Sequence, residues 1–286
     1  MATELDRLRI EPMTRADLDV ALEWAAREGW NPGLSDAEAF WAADPTGFLV
    51  GRVDGTMVAV ISVVGFGDAF AFLGLYIVDS AWRGRGLGWA LWSAAMARVT
   101  DRTDATVGLD GVVEQQANYA RSGFVLAHRS VRFGGVPHGA GHDGVEVLGP
   151  ADLPAVAVLD TACFGASRRA FLGQWLAIAG GLAAGVREGE RLVGYGVIRP
   201  CLDGMKVGPL FADDPAVASA ILGRLAEHAG SGTTVFLDVP EPNSAGVALA
   251  RSQGLEPVFE TARMYRGPAL DLPLERVFGI TTFELG

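Results

Sequence analysis

Six consecutive residues, Arg83-Gly84-Arg85-Gly86-Leu87-Gly88, place three glycines and two arginines between an apolar run and an amphipathic one. Glycine lets a bulky anion approach the backbone, and arginine offers charge on a two-pronged donor. The first N–H groups of a helix have no intrahelical acceptor, and the helix dipole adds partial positive charge at that end. Residues of these types at a helix start read as a cradle for phosphate or pyrophosphate. The plainer alternative is a turn that only connects a strand to a helix. The glycines stand at 84, 86 and 88, so the dinucleotide fingerprint G-x-G-x-x-G fails, and no G-K-[ST] follows to make a P-loop.

A cradle of this kind needs a strand before it and a helix behind it. Phe72 to Val78 is β-branched and aromatic, and of strand length. Leu87, Leu91, Ala95 and Val99 share one helical face. Upstream, Leu8 to Met13 reads as an edge strand. Thr14, with Asp17 at capping-box spacing, opens a helix from Arg15 to about Glu28. Asn31-Pro32-Gly33 breaks it, and Ser35 caps a second helix through about Ala43. Phe48 to Val53 and Met57 to Val64 form a hairpin about Asp54-Gly55. Downstream come a strand from Ala105 to Leu109 and a short helix from Glu114 to Ser122, stopped by Gly123. Phe124 to His128 and Val131 to Phe133 close the unit, and Gly134 to Gly144 is a linker candidate.

The second half repeats this order at an offset of about 130 residues, too long for a solenoid period and about one domain. Val147 to Leu153 echoes Ile10 to Leu18, and Gly181 to Pro200 echoes the hairpin. Met205 to Phe211, with a helix from Asp214 to Ala229, echoes the strand and helix around the cradle. Phe236 to Val239 and Ser244 to Gln253 follow, and Val277 to Glu284 reads as an extra strand. The cradle itself is absent from the repeat. Asp213 and Asp214 stand in its place, good helix caps and hostile to pyrophosphate.

Composition narrows the class. Half of the 286 residues are hydrophobic, enough for a sizeable core. The longest apolar run, Met57 to Gly65 with Ser62 inside it, is too short to span a bilayer, and the charged start MATELDRLRI is unlike a signal peptide. The expectation is a cytoplasmic protein without a membrane partner. Cys163 and Cys201 imply no disulfide framework and read as small buried hydrophobes. A net charge of −11, with Lys206 the only lysine, disfavours nucleic acid as a partner and suits a cationic acceptor, or simply solubility. Among the four histidines, His138 and His142 lie four apart in the glycine-rich linker, poor spacing for a metal site, so none is expected.

The chain resembles the GCN5-related N-acetyltransferases (GNAT). Their [QR]-x-x-G-x-[GA] motif stands as Arg83 to Gly88, preceded by Leu75-Tyr76-Ile77-Val78. Their Y-x-x-x-G-F motif stands as Tyr119-Ala120-Arg121-Ser122-Gly123-Phe124, with a helix and a strand between the two. The resemblance implies an α+β fold of two tandem domains, each a mixed, mostly antiparallel sheet flanked by helices. Residues 1–136 would be the catalytic domain that binds acetyl-CoA, and 143–286 a degenerate copy without the loop. It further implies that the backbone of Tyr76, Ile77 and Val78 pairs with the pantetheine arm. The amides of Arg83, Gly84, Arg85, Gly86, Leu87 and Gly88 would hold the pyrophosphate, and Tyr119 would protonate the departing thiolate.

The strand before the loop lacks the glutamate that many members use as general base. Asp68, Asp110 and Glu114 are nearby carboxylates, and an ordered water is another route. Asn118 adjoins Tyr119, whereas the family's usual asparagine lies further upstream, and Asp79 reads as a turn residue. Trp24, Trp30, Phe40 and Trp41 fall on helices that wall the acceptor pocket in this fold; most read as core, with Trp30 or Trp41 as candidates to line the pocket. Arg168 and Arg169 read as exposed helix charges. The function expected is acetyl transfer from acetyl-CoA to a primary amine, a small molecule or a peptide, in a ternary complex. The alternative is an acyl-CoA-binding sensor or interaction module without turnover. A homo-oligomer is left open.

Overall fold

The computed structural model describes residues 3–100, 105–139 and 143–286. His142 lies outside the described residues. The first half runs α1 (Glu4–Arg7), β1 (Leu8–Pro12), α2 (Arg15–Arg27), α3 (Asp36–Ala43), β2 (Phe48–Val53), β3 (Thr56–Phe66), β4 (Phe70–Val78), α4 (Leu87–Thr100), β5 (Thr106–Val112), α5 (Gln116–Arg121) and β6 (Val125–Gly135). The second runs β7 (Val145–Leu148), α6 (Leu153–Phe164), α7 (Arg169–Trp175), β8 (Leu182–Glu188), β9 (Arg191–Pro200), β10 (Met205–Ala212), α8 (Pro215–Ala229), β11 (Val235–Pro240), α9 (Ser244–Ser252), β12 (Glu256–Arg266) and β13 (Val277–Gly279).

Local chemistry accounts for the boundaries. The Thr14 hydroxyl accepts from the Asp17 amide at 3.2 Å, and the Asp17 carboxylate accepts from the Thr14 amide at 2.9 Å. This capping box starts α2, which buries Leu18, Ala21, Leu22 and Ala25, the i, i+3, i+4, i+7 face. Ser35 occupies the cap position of α3 without a side-chain hydrogen bond. Strand β3 is buried on both faces: Ile61 and Val63 meet α4, while Val60, Val64 and Phe66 join the core on the other side. That is why it reads as an unbroken apolar run. The cap of α8 is Asp214, which accepts from the amides of Ala216 and Val217 at 2.8 and 3.0 Å.

The two halves build one sheet of thirteen strands, in the order β1-β2-β3-β4-β5-β12-β6-β11-β10-β9-β8-β7, with β13 beside β10. Only β4–β5 and β10–β11 run parallel among the described pairs. The order reveals an exchange. Strand β12 of the second half lies between β5 and β6, and β6 of the first half lies between β12 and β11. Phe124–His128 and Val131–Phe133, read as two strands, are one continuous strand that belongs to both halves.

Buried ion pairs follow the exchange. Arg132 on β6 grips Asp238 on β11 at 2.6 and 2.8 Å, and Arg263 on β12 grips Asp110 on β5 at 2.9 and 2.8 Å. Arg199 on β9 reaches Asp36 on α3 at 2.7 Å. Phe40 of α3 stacks on Trp175 of α7, with ring centroids 6.4 Å apart, inside a core that draws on both halves. Arg168, expected as an exposed charge, is buried. It pairs with Asp160 at 2.9 and 2.7 Å, because Thr281 and the rings of Phe164 and Phe171 close over it. Arg169 is exposed. Cys163 and Cys201 are buried and unbridged.

Candidate active site

Strands β4 and β5 pair in parallel only from Phe70↔Thr106 to Leu73↔Leu109. Beyond Leu73 the backbone of β4 bulges: Leu75 has φ +47°, and the register with β3 slips between Val60 and Ser62. The strands then diverge, and a cavity of about 460 Å³ opens between Leu73–Val78 and Leu109–Val112. The divergence leaves the far edge of Tyr76–Val78 without a strand partner.

Of the residues singled out from the sequence, Tyr76, Ile77, Val78, Arg83 and Tyr119 line this cavity. Gly84, Arg85, Gly86, Leu87 and Gly88 form the turn beside it. Gly84 and Gly86 adopt φ of +77° and +80°, which side chains other than glycine rarely tolerate. A Cβ on Gly88 would lie 2.7 Å from the Tyr76 hydroxyl, so the glycine lets that phenol rest against the turn. Leu87 is a core residue under α4. The helix's first hydrogen bond in this turn runs from the Ala90 amide to the Gly86 carbonyl at 3.1 Å, and the amides before it stand at an uncapped helix start.

Both arginines are held in place. Arg83 donates from Nε to the Val78 carbonyl at 2.9 Å and pairs with Glu28, at the end of α2. Arg85 donates to Glu4 at 2.7 Å and to the Ala81 carbonyl at 2.9 Å, and lies over the Trp82 ring. Asp79 accepts from the Ala81 amide at 3.0 Å, the turn role expected of it.

Tyr119 stacks on Trp92, with centroids 5.5 Å apart, and covers Gly111, where a Cβ would sit 2.8 Å from its ring. Burial raises its pKa well above the ordinary 10.0, and the neighbouring Tyr76 adds to the rise. The phenol is therefore fully protonated at neutral pH and can donate. Asn118 donates to Gln115 at 2.6 Å and accepts from Arg121. Trp89 is exposed, beside a smaller cavity that Tyr119 also lines.

The base candidates separate. Asp110 is committed to Arg263. Asp68 lies in a different pocket, with Asp44 and Arg98. Asp110 and Glu114 both line the cavity, and of the two only Glu114 is exposed. Among the lining residues that sequence reasoning missed are Phe259 and Thr261 from the exchanged β12, and Phe283 and Glu284 from the tail. Nothing local marks them, because strand exchange and the path of the tail bring them there. Trp30, a candidate lining residue, does line the cavity.

The second half starts the same wedge and then closes it. Strands β10 and β11 pair from Met205↔Val235 to Val207↔Leu237, and β13 then lies along β10 at Leu210↔Gly279 and Phe211↔Val277. A Cβ on Gly279 would meet Leu237 at 2.6 Å, which shows how tightly the gap is filled. Asp213, at the start of α8, pairs with Arg191 and Arg276.

Known proteins resemble this chain in sequence and in fold. Residues 15–124 match a model described as the acetyltransferase (GNAT) family, and residues 156–279 match one described as an acetyltransferase (GNAT) domain. The chain is 31% identical over 278 residues to a holothin acyltransferase of a Pseudoalteromonas species, covering 96% of this chain and 94% of that protein. In fold it is similar to an acetyltransferase candidate from Pyrococcus horikoshii, with a TM-score of 0.84 at 22% identity over 98% of this chain and 96% of that one. It is also similar to a tandem GNAT protein from the clavulanic acid biosynthesis pathway, with a TM-score of 0.60 at 18% identity over 92% of this chain and 100% of that one. No helix among the described residues is long and apolar enough to cross a membrane.

Proposed function

This chain belongs to the GNAT family of acetyltransferases and is an acyltransferase, and on that premise we propose that it moves an acetyl group from acetyl-CoA to a primary amine by direct attack, with the donor held by the first half alone. Acetyl-CoA supplies the activated thioester. The amides of Arg83 to Gly88 face its pyrophosphate, and Arg83 and Arg85 exchange their carboxylate partners for phosphate oxygens. The free edge of Tyr76–Val78 pairs with the pantetheine arm as a further strand would.

The residues present fit such a donor. Two left-handed glycines keep the turn narrow, and Gly88 brings it against Tyr76. The diverging strands leave a slot that leads from the turn toward Tyr119. Tyr119, held neutral by burial, gives its proton to the sulfur as the carbon–sulfur bond breaks. In the second half β13 fills the matching slot and Asp213 and Asp214 occupy the matching helix start, so one donor site is expected, not two.

The observation that carries this reading is the convergence of the glycine turn, the open edge of β4 and Tyr119 on one cavity. The test is thiol release from acetyl-CoA across a panel of primary amines, alongside calorimetry with CoA. Tight CoA binding with amine-dependent thiol release is expected. Binding without thiol release from any amine would favour a sensor, and no CoA binding would refute the donor site.

A further inference from the structure

One side of the cavity collects polar atoms that have nothing to bond. Both carboxylate oxygens of Glu284 are buried without a hydrogen-bond partner among the described residues, and so are the hydroxyls of Thr261, Ser62 and Ser130. Glu284 and Thr261 line the cavity. Ser62 stands opposite Gly74 across β3 and β4, and Ser130 opposite Thr261 across β6 and β12. The Glu284 backbone itself rests on Gly74, its carbonyl 2.0 Å from the point a Cβ there would occupy. Four separate segments therefore bring orphaned oxygens to one place.

A buried carboxylate without a partner is strongly unfavourable, and such groups gather where a ligand completes them. Arg132, Arg199 and Lys206 are near enough to feel the charge of Glu284. Arg132 donates to Asp238 and the Trp30 carbonyl, Arg199 to Asp36, and Lys206 to the carbonyls of Trp30 and Asn31, while Nη1 of Arg199 is itself buried without a partner among the described residues. None of the three caps the Glu284 oxygens. Trp30, Phe259 and Phe283 give the same cavity an aromatic side, the two phenylalanine rings 6.0 Å apart with the Arg132 guanidinium over both, and Glu28, Arg83 and Glu114 also line it.

We propose that Glu284 receives the amino group of the acceptor and takes its proton, and that the acceptor is an aryl-bearing primary amine seated among Trp30, Phe259 and Phe283. This rests on the donor site described above. In the step, the amine nitrogen bonds to the thioester carbon, the carbon–sulfur bond breaks, and the electron pair leaves on sulfur. Tyr119 gives that sulfur its proton, and the amine gives one of its own to Glu284. Return of the Glu284 proton to Tyr119 through solvent resets both groups, so amine and thioester become amide and thiol with no other reactant. The reaction then draws on both halves: the donor is held by the first, and the acceptor is received by the tail of the second.

The test uses the full chain, acetyl-CoA, and three acceptors: 2-phenylethylamine, spermidine and a lysine-bearing peptide. The wild type should show its highest kcat/KM with 2-phenylethylamine. Glu284→Gln keeps the side-chain size and removes the charge; it should lower that kcat/KM at least about 100-fold, while affinity for CoA by calorimetry stays within about twofold. A thermal melt checks the fold of the variant. Should Glu284→Gln fail to fold, Thr261→Val decides: KM for 2-phenylethylamine should rise severalfold with CoA affinity kept, and an unchanged KM overturns the assignment. Turnover by Glu284→Gln within about threefold of wild type overturns the role of Glu284. Preference for spermidine or the peptide overturns the acceptor class. A wild type that does not bind CoA instead defeats the donor reading, and calorimetry keeps the two failures apart.

Discussion

Gly74→Ala tests whether the tail is part of the site. Gly74 has a backbone conformation open to alanine, so the effect of the methyl group is steric. That group would lie 2.0 Å from the Glu284 carbonyl oxygen, 2.9 Å from its carbon and 3.2 Å from its Cα. All three are backbone atoms, so no rotamer change relieves the contact. The closest approach must open from 2.0 Å to about 3.3 Å, an outward shift of the tail of roughly 1.3 Å. Overpacking of this kind costs about 1–3 kcal/mol of stability. A displacement near 1 Å at a reacting centre costs about 100-fold in rate. The turn from Arg83 to Gly88 is not touched. We therefore expect kcat/KM for the amine to fall by about two orders of magnitude, CoA affinity by calorimetry to be unchanged, and the thermal midpoint to drop by a few degrees. Amine turnover within about threefold of wild type would refute the reasoning, because it would mean the tail takes no part in holding the acceptor.

Tyr119→Phe should lower kcat by about 100-fold or more with little change in CoA affinity. Because burial raises the Tyr119 pKa, the acid stays protonated above its ordinary pH 10.0, so the wild-type rate should show no alkaline loss below that pH; a loss near pH 8 would point to another acid. Arg83→Glu sets a carboxylate beside Glu28 and the donor's phosphates, and calorimetry should show CoA binding weakened at least about tenfold, an effect that shrinks in high salt. Asp110→Asn leaves Arg263 buried without its carboxylate, and urea unfolding of the full chain should report a loss of about 3 kcal/mol or more. A loss below about 1 kcal/mol would show that the pair does not help to hold β12 against β5.

The glycine turn and its flanking strand and helix were legible because their signal is local. Arg83 to Gly88 lies between one strand and one helix, and the periodicity of Leu87, Leu91, Ala95 and Val99 points that helix at its sheet. The Thr14–Asp17 box was legible for the same reason, its two hydrogen bonds spanning three residues. The opposite wall of the cavity was not. Strand β12 carries Pro257, Glu260, Arg263 and Arg266, which mask a strand pattern, and its neighbours β5 and β6 lie more than a hundred residues away in sequence. Arg168 looked like a surface charge because Asp160, one helix earlier, shows no sign in the sequence of facing it. Glu284 sits in a short tail that rests on Gly74 of β4, far away in sequence. Each of these residues depends on a partner that only the folded sheet supplies.

The insertion of β12 between β5 and β6 also bears on synthesis. Both strands that flank it leave the ribosome first, and the slot between them stays empty until β12 follows. With translation at about 5–20 residues per second, the roughly 130 residues from the end of β6 to the end of β12 impose a wait on the order of ten seconds. Through that interval β5 and β6 present unpaired edges, the kind that recruit other nascent chains. The first half cannot complete its sheet ahead of β12, so the two halves mature together once that strand has emerged.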